Sequence, residues 1–186
     1  MKKCTKVPNR YANALYVFSL EEKQLEGVFK DVKFIRNVLA DNKELKTIME
    51  SPVIVPKIKS NIFSQLFENR INSITYGFLD LIVRKRREPS LFQTLDAFIN
   101  YYHRHHNIKV ATLTSAIPLN NELIEKIKIV LEEQTNSTIQ IQTQIKPAII
   151  GGFIVQVEDY LVDASLLGKI NRLKREFATN IYQAGF

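Results

Sequence analysis

The chain has 186 residues, enough for one large domain or two small ones, each able to bury a core. Hydrophobic residues at 45% and charged ones at 24% are globular proportions and exclude an intrinsically disordered chain. The 26 Lys plus Arg against 19 Asp plus Glu leave a formal charge of +7, which favours an acidic partner without choosing among nucleic acid, anionic lipid and protein.

The first hundred residues read as helix after helix. Tyr11, Ala14, Leu15 and Phe18 recur at helical spacing, and Leu25, Val28, Phe29, Val32, Ile35 and Leu39 make the clearest amphipathic pattern in the chain. A short helix over 44–50 ends at Ser51-Pro52, because proline disfavours helical geometry in the residue before it. Pro56 suits the first turn of a fourth helix with Ile58, Ile62, Leu66 and Phe67 on its face. Ile74, Phe78, Leu81 and Ile82 mark a fifth. Leu91, Leu95, Phe98, Ile99 and Tyr102 mark a sixth, with Ser90 placed to cap it. No segment in this half has strand character.

The pattern changes near Asn107. The β-branched run 108–115 reads as a strand, and Asn120 as the N-cap of a helix bearing Leu123, Ile127, Val130 and Leu131. Residues 138–145 alternate, predicting a half-buried strand with a wet glutamine face. Gly151-Gly152 interrupts the next apolar run and predicts a bulge or a close backbone approach. Glu158-Asp159 reads as a tight hairpin, and Ile170, Leu173, Phe177 and Ile181 form the apolar stripe of a last helix. The predicted fold is mostly α: an N-terminal six-helix bundle over 1–106, then a small α+β C-terminal domain over 107–186.

Few residues invite chemistry. His103-Arg104-His105-His106 holds every histidine, but no carboxylate or thiolate stands beside them to complete a zinc set, so a polar helix end is expected. Arg84-Lys85-Arg86-Arg87 could grip phosphates and, with Tyr101 and Tyr102, suit RNA; the plainer reading is a hydrated helix C-terminus. Asp163 or Ser165 is placed to cap the final helix, and the Gly151-Gly152 pair lacks the rest of a nucleotide cradle. The lone Cys4 fits a reducing compartment. No run approaches the about 18 apolar residues of a membrane span, and Met1-Lys2-Lys3 is not followed by the apolar stretch of a secretory signal. A soluble or peripheral protein with no catalytic residues, metal or cofactor is expected.

Three segments resemble a known family. Arg10-Tyr11-Ala12-Asn13-Ala14-Leu15 is similar to the opening helix of the delta subunits of F-type ATP synthases, whose mitochondrial counterpart is the oligomycin-sensitivity-conferring protein. Thr114-Ser115-Ala116-Ile117-Pro118-Leu119-Asn120 resembles the family's strand-to-helix join. Residues 149–157, then Asp163-Ala164-Ser165 and Gly168-Lys169-Ile170-Asn171-Arg172-Leu173, resemble its closing signature. Departures are local: Lys146-Pro147-Ala148 where Asp-Pro-Ser is frequent, a hairpin without glycine at Asp159-Tyr160, and Ala164 where glycine is common.

The resemblance implies a stator connector at the cytoplasmic face of a bacterial inner membrane. Its bundle would accept the N-terminal helix of an alpha subunit of the catalytic head, in a groove between the first and fifth helices. Its C-terminal domain would engage the b subunits of the peripheral stalk. Membrane association would run only through the complex, and nucleic acid would not be a partner. The groove residues this implies are Tyr11, Ala14, Leu15 and Phe18 from the first helix, with Gly77, Phe78, Leu81 and Ile82 from the fifth. One side chain cannot serve both groove and bundle interior, so a share of these eight is expected in the core.

Overall fold

Helix α1 (Lys6–Glu21) opens the chain and is followed by α2 (Leu25–Asp41), α3 (Lys43–Glu50), α4 (Pro56–Phe67) and α5 (Ser73–Arg84). A 3-10 turn (Glu88–Ser90) leads directly into α6 (Leu91–His105). The fold is that of a computed structural model, described over residues 6–180; Cys4 and Ile181, weighed above, lie outside the described residues. The chain divides between His105 and His106 into two units; it is mostly helical, with one small sheet in the C-terminal part.

In the first unit the apolar periodicity becomes a core of Leu15, Val28, Val32, Ile35, Leu39, Phe63, Phe67, Leu79, Ile82, Leu91, Leu95 and Phe98. Polar ties fix how the helices meet. Asp31 on α2 accepts from the Asn72 amide (2.7 Å) and the Thr75 hydroxyl (2.9 Å), holding the start of α5, while Arg36 pairs with Asp96 of α6 at 3.1 Å. Asn72 caps α5 by accepting from the Ile74 amide, and Pro56 stands at the start of α4 as expected.

Two readings needed correction here. Ser90 is not a separate cap before α6; it is the last residue of the 3-10 turn, and its carbonyl accepts from the Thr94 hydroxyl at 2.8 Å. The inward face of α4 is Lys59, Phe63 and Phe67, and Ile58 is 52% exposed. Lys59 turns inward because its ammonium donates to the Met49 carbonyl (2.9 Å) and lies 3.4 Å from the Glu88 carboxylate, both side chains only 3% exposed. Hydropathy has no means of placing a lysine on a core face.

The second unit contains β1 (Ile108–Ser115), α7 (Asn121–Thr135), β2 (Thr138–Ile145), β3 (Phe153–Val157), β4 (Tyr160–Asp163) and α8 (Leu166–Asn180). Strand order is β2-β1-β3-β4. β1 and β2 are parallel, paired from Ile108↔Thr138 to Ser115↔Ile145, with α7 as the crossover; β3 and β4 add antiparallel. Asn120 caps α7, and its other end turns at Asn136 in the left-handed region (φ 46°). Asn107 (φ 52°) donates to the Asn136 carbonyl at 2.8 Å and so locks the start of β1 to the approach of β2.

The core here is Ala111, Leu113, Leu131, Ile139, Val155 and Val157, with Ile124 and Ile127 of α7 laid over it. This corrects the face read for α7: Leu123 and Val130 are exposed. It also limits the half-buried character of β2. Only Ile139 is fully buried, and Ile145 is 53% exposed at the sheet edge.

The glycine pair behaves as expected. Gly152 has φ 74°, and a Cβ there would meet the Ala164 carbonyl oxygen at 2.3 Å. Just before it Ile150 (φ 68°, ψ −44°) centres a three-residue turn closed by the Gly151 amide donating to the Ile149 carbonyl at 2.8 Å. That conformation is rare for a β-branched residue. Asp163 and Ser165 share the capping of α8: the Ser165 amide donates to Asp163 (2.8 Å) and the Gly168 amide to the Ser165 hydroxyl (3.0 Å). Hydrogen bonding from the Ser165 side chain, then from its amide, holds the Asp163 carboxyl below the usual carboxylate range.

Candidate protein-docking groove

Helix α1 carries two apolar stripes side by side. Pro8, Ala12, Leu15 and Ser19, with Tyr16, are buried within the unit. One residue earlier in each repeat, and so about 100° round the helix, stand Val7, Tyr11, Ala14 and Phe18. Val7 and Tyr11 are half-buried, Ala14 is exposed, and Phe18 is 49% exposed. Helix α5 is built the same way. Thr75, Phe78, Leu79, Ile82 and Val83 face the core, while half-buried Ile74, exposed Gly77 and Leu81 (42% exposed) form an outward row.

Part of each outward row lines a cleft. α1 packs along α6, and α5 against α4 and α2, so α1 and α5 touch only sparsely. Val7, Arg10, Tyr11, Ala14, Leu81 and Arg87 line a cavity of about 380 Å³ there. Arg87 reaches it because α5 ends in a Schellman turn. The Arg86 amide donates to the Val83 carbonyl and the Arg87 amide to the Ile82 carbonyl, each at 2.9 Å, with Arg86 at φ 52°. The chain therefore folds back over the helix end.

Of the eight expected groove residues, Tyr11, Ala14, Phe18, Gly77 and Leu81 lie on the outward rows, and Tyr11, Ala14 and Leu81 line the cleft itself. Leu15, Phe78 and Ile82 are buried in the core at 4%, 8% and 0% exposure. Sequence reasoning missed Val7, Arg10 and Arg87. Val7 had a signal, since it precedes Tyr11 by four and Ala14 by seven residues. Arg87 had none, because its place depends on a left-handed turn at a non-glycine residue.

Among the described residues, a Cβ built on Gly77 would meet nothing within 4 Å. Glycine inside a helix is about 1 kcal/mol worse than alanine. Nothing within the unit requires its missing side chain.

The basic run is a helix end, as the plainer reading had it. Arg84 pairs with Asp80 at 2.7 Å. Tyr102 is in no position to stack on a base: it is 6% exposed and its hydroxyl donates to Glu26 at 2.6 Å. Burial, then the Glu26 bond, pushes its phenol up to about 12.

The histidines are less polar in setting than expected. His105 stacks on Tyr16 at 4.8 Å, and half-buried His103 meets Phe29 edge-on at 5.9 Å. The His103 Nε2 is buried without a hydrogen-bond partner among the described residues. Burial, then the Lys33 charge, lowers the His103 pKa below its usual 6.5. The charged imidazole is thus disfavoured only in the folded state. Its contribution to stability is fully present above about pH 6.5, and is lost as acid protonates the unfolded chain first. Urea midpoints are expected to fall between pH 7 and 5, and to fall less in a His103→Phe variant. Equal slopes in the two proteins would remove His103 as a cause.

Residues 7–177 match the family model described as ATP synthase delta (OSCP) subunit. The chain belongs to that family. It is therefore a peripheral-stalk component of ATP synthase and not an enzyme.

Among its relatives, the delta subunit of Prochlorococcus marinus strain AS9601 is 33% identical over 90% of this chain and 93% of its own. That of Christiangramia forsetii is 30% identical over 96% of both, and that of Amoebophilus asiaticus 28% over 95% and 96%. A chain of the mitochondrial ATP synthase hexamer of Toxoplasma gondii shares the fold, with a TM-score of 0.71 at 22% identity, over 92% of this chain and 97% of that one. Among the described residues no helix is long and apolar enough to cross a membrane.

Proposed function

We propose that this delta-family chain ties the catalytic head to the stalk, taking the N-terminal helix of an alpha subunit into the α1–α5 cleft and the b subunits on its C-terminal unit. In this reading the first unit works as a six-helix bundle and the second as the stalk-binding domain, as expected for residues 1–106 and 107–186. The chain sits at the cytoplasmic face of the inner membrane, held there only through the complex. The job is mechanical: torque from the rotating shaft must not drag the head round.

The observation that carries this is the second apolar stripe on α1. Val7, Tyr11, Ala14 and Phe18 have the i, i+4, i+7, i+11 spacing of a helix-packing face, yet they point away from the core. The open space at Gly77, on the outward row of α5, lets a guest backbone approach closely. An amphipathic helix laid there covers both outward rows. On α8 a similar stripe, Leu166, Ile170, Leu173 and Phe177, is 40–68% exposed, which supports a second apolar contact on the C-terminal unit.

Calorimetric titration of the full chain with a peptide copying the alpha-subunit N-terminal helix tests the cleft. One-to-one binding that largely survives high salt is expected, because burial of apolar surface drives it. Tyr11→Asp places a carboxylate on the apolar stripe and is expected to weaken binding by at least about tenfold. Circular dichroism must show that variant folded. Absence of binding by the folded parent chain would refute the groove.

A further inference from the structure

We infer that Arg10 and Arg87 form a carboxylate clamp at the cleft, so that the guest helix must carry an acidic side chain at the margin of its apolar stripe. This rests on the docking groove proposed above and adds the chemistry that selects and registers the guest.

The cleft is lined by four apolar or aromatic residues and two arginines, with no carboxylate among them. Both arginines are exposed. Neither belongs to an ion pair found among the described residues. The acidic residues close to Arg87 along the chain are already committed: Asp80 to Arg84, and buried Glu88 to Lys59. Nor does its own helix account for Arg10, since α1 has no acidic residue in its first turn to balance Lys6 and Arg10.

Docking changes the electrostatics of this arrangement. A purely apolar guest would take two guanidinium groups partly out of water and return nothing, which is unfavourable. A guest carboxylate reverses that sign, because the planar guanidinium fork matches a carboxylate with paired hydrogen bonds. The two arginines come from different elements, α1 and the turn after α5. One carboxylate held between them fixes the guest along the groove as well as across it. Apolar contacts alone leave a helix free to slip by a turn, so the clamp supplies register where the apolar lining supplies affinity.

The test is a coupling cycle on the full chain. The probes are the alpha-subunit N-terminal peptide and versions in which each carboxylate flanking its apolar stripe becomes the amide (Glu→Gln or Asp→Asn). The chains are the parent and the Arg10→Gln/Arg87→Gln double variant. One amide peptide is expected to bind the parent about tenfold more weakly at low salt. The double variant is expected to show a similar loss with the parent peptide, and no further loss with that amide peptide.

If the peptide binds but no carboxylate couples to the arginines, the clamp is wrong and the groove stands. An arginine effect equal for every peptide also overturns it, as general attraction would act that way. If no peptide binds the folded parent chain, the groove itself falls and the clamp with it.

Discussion

Replacing Lys59 with methionine is expected to destabilise the helical unit by about 3–5 kcal/mol, the usual consequence of stranding a buried charge. The Lys59 ammonium lies 3.4 Å from Glu88 and donates to the Met49 carbonyl, joining α4 to the end of α3 and to the turn before α6. With the cation gone, a carboxylate and a carbonyl both stay buried without it. The Lys59→Met/Glu88→Leu double variant is expected to recover most of the loss, because a buried ion pair contributes little beyond what apolar residues of similar size supply. Urea denaturation of the full chain, followed by circular dichroism, measures both. A single variant within about 1 kcal/mol of the parent would mean that water or a neighbouring group takes the place of the ammonium.

Gly152→Ala is the second large effect, expected to destabilise the C-terminal unit by about 3 kcal/mol. Two penalties combine. The backbone sits at φ 74°, where an L side chain is strained, and the new Cβ would fall 2.3 Å from the Ala164 carbonyl oxygen and 3.1 Å from the Ser165 Cα. Those neighbours are backbone atoms and cannot swing aside. The Ala164 amide also donates to the Phe153 carbonyl at 3.0 Å, and the Leu166 amide to the Gly151 carbonyl at 2.9 Å. Relief would therefore have to loosen the entry to α8. Amide exchange resolved along the chain should show faster exchange in β3, β4 and the first turn of α8, with α1–α6 unchanged. Uniform protection identical to the parent would show that the approach is looser than drawn.

How much could be read in advance differed from element to element. The strands at 108–115 and 138–145 were legible to the residue, since β-branched runs flanked by polar turn residues have few alternatives. The cap at Asn120 was legible, and that of α8 was narrowed to Asp163 or Ser165, because a short side-chain oxygen before a helical run has a defined local partner. The faces of α4 and α7 were misread by part of a turn. In α4 the cause was Lys59, which lies inward only because Glu88, 29 positions along the chain, meets it there. In α7 the flanking apolar residues Leu123 and Val130 blurred the stripe that the sheet covers.

Of the eight residues named for the candidate groove, five stand on outward rows and three in the core. Placing it on the first and fifth helices came from the family resemblance. The choice of Leu15, Phe78 and Ile82 failed to separate two neighbouring stripes of similar hydropathy.

The sequence by itself determined the order and kind of the elements, the change from helices to an α+β unit near residue 106, and the family. These follow from local periodicity, turn residues and short motifs, which act over a few positions along the chain. Only the tertiary structure decided which stripe of α1 is core and which is open, that Lys59 is buried, and that Arg87 returns to the cleft beside Arg10. Periodicity says that a helix has an apolar face. What covers that face is a matter of neighbours far away in sequence.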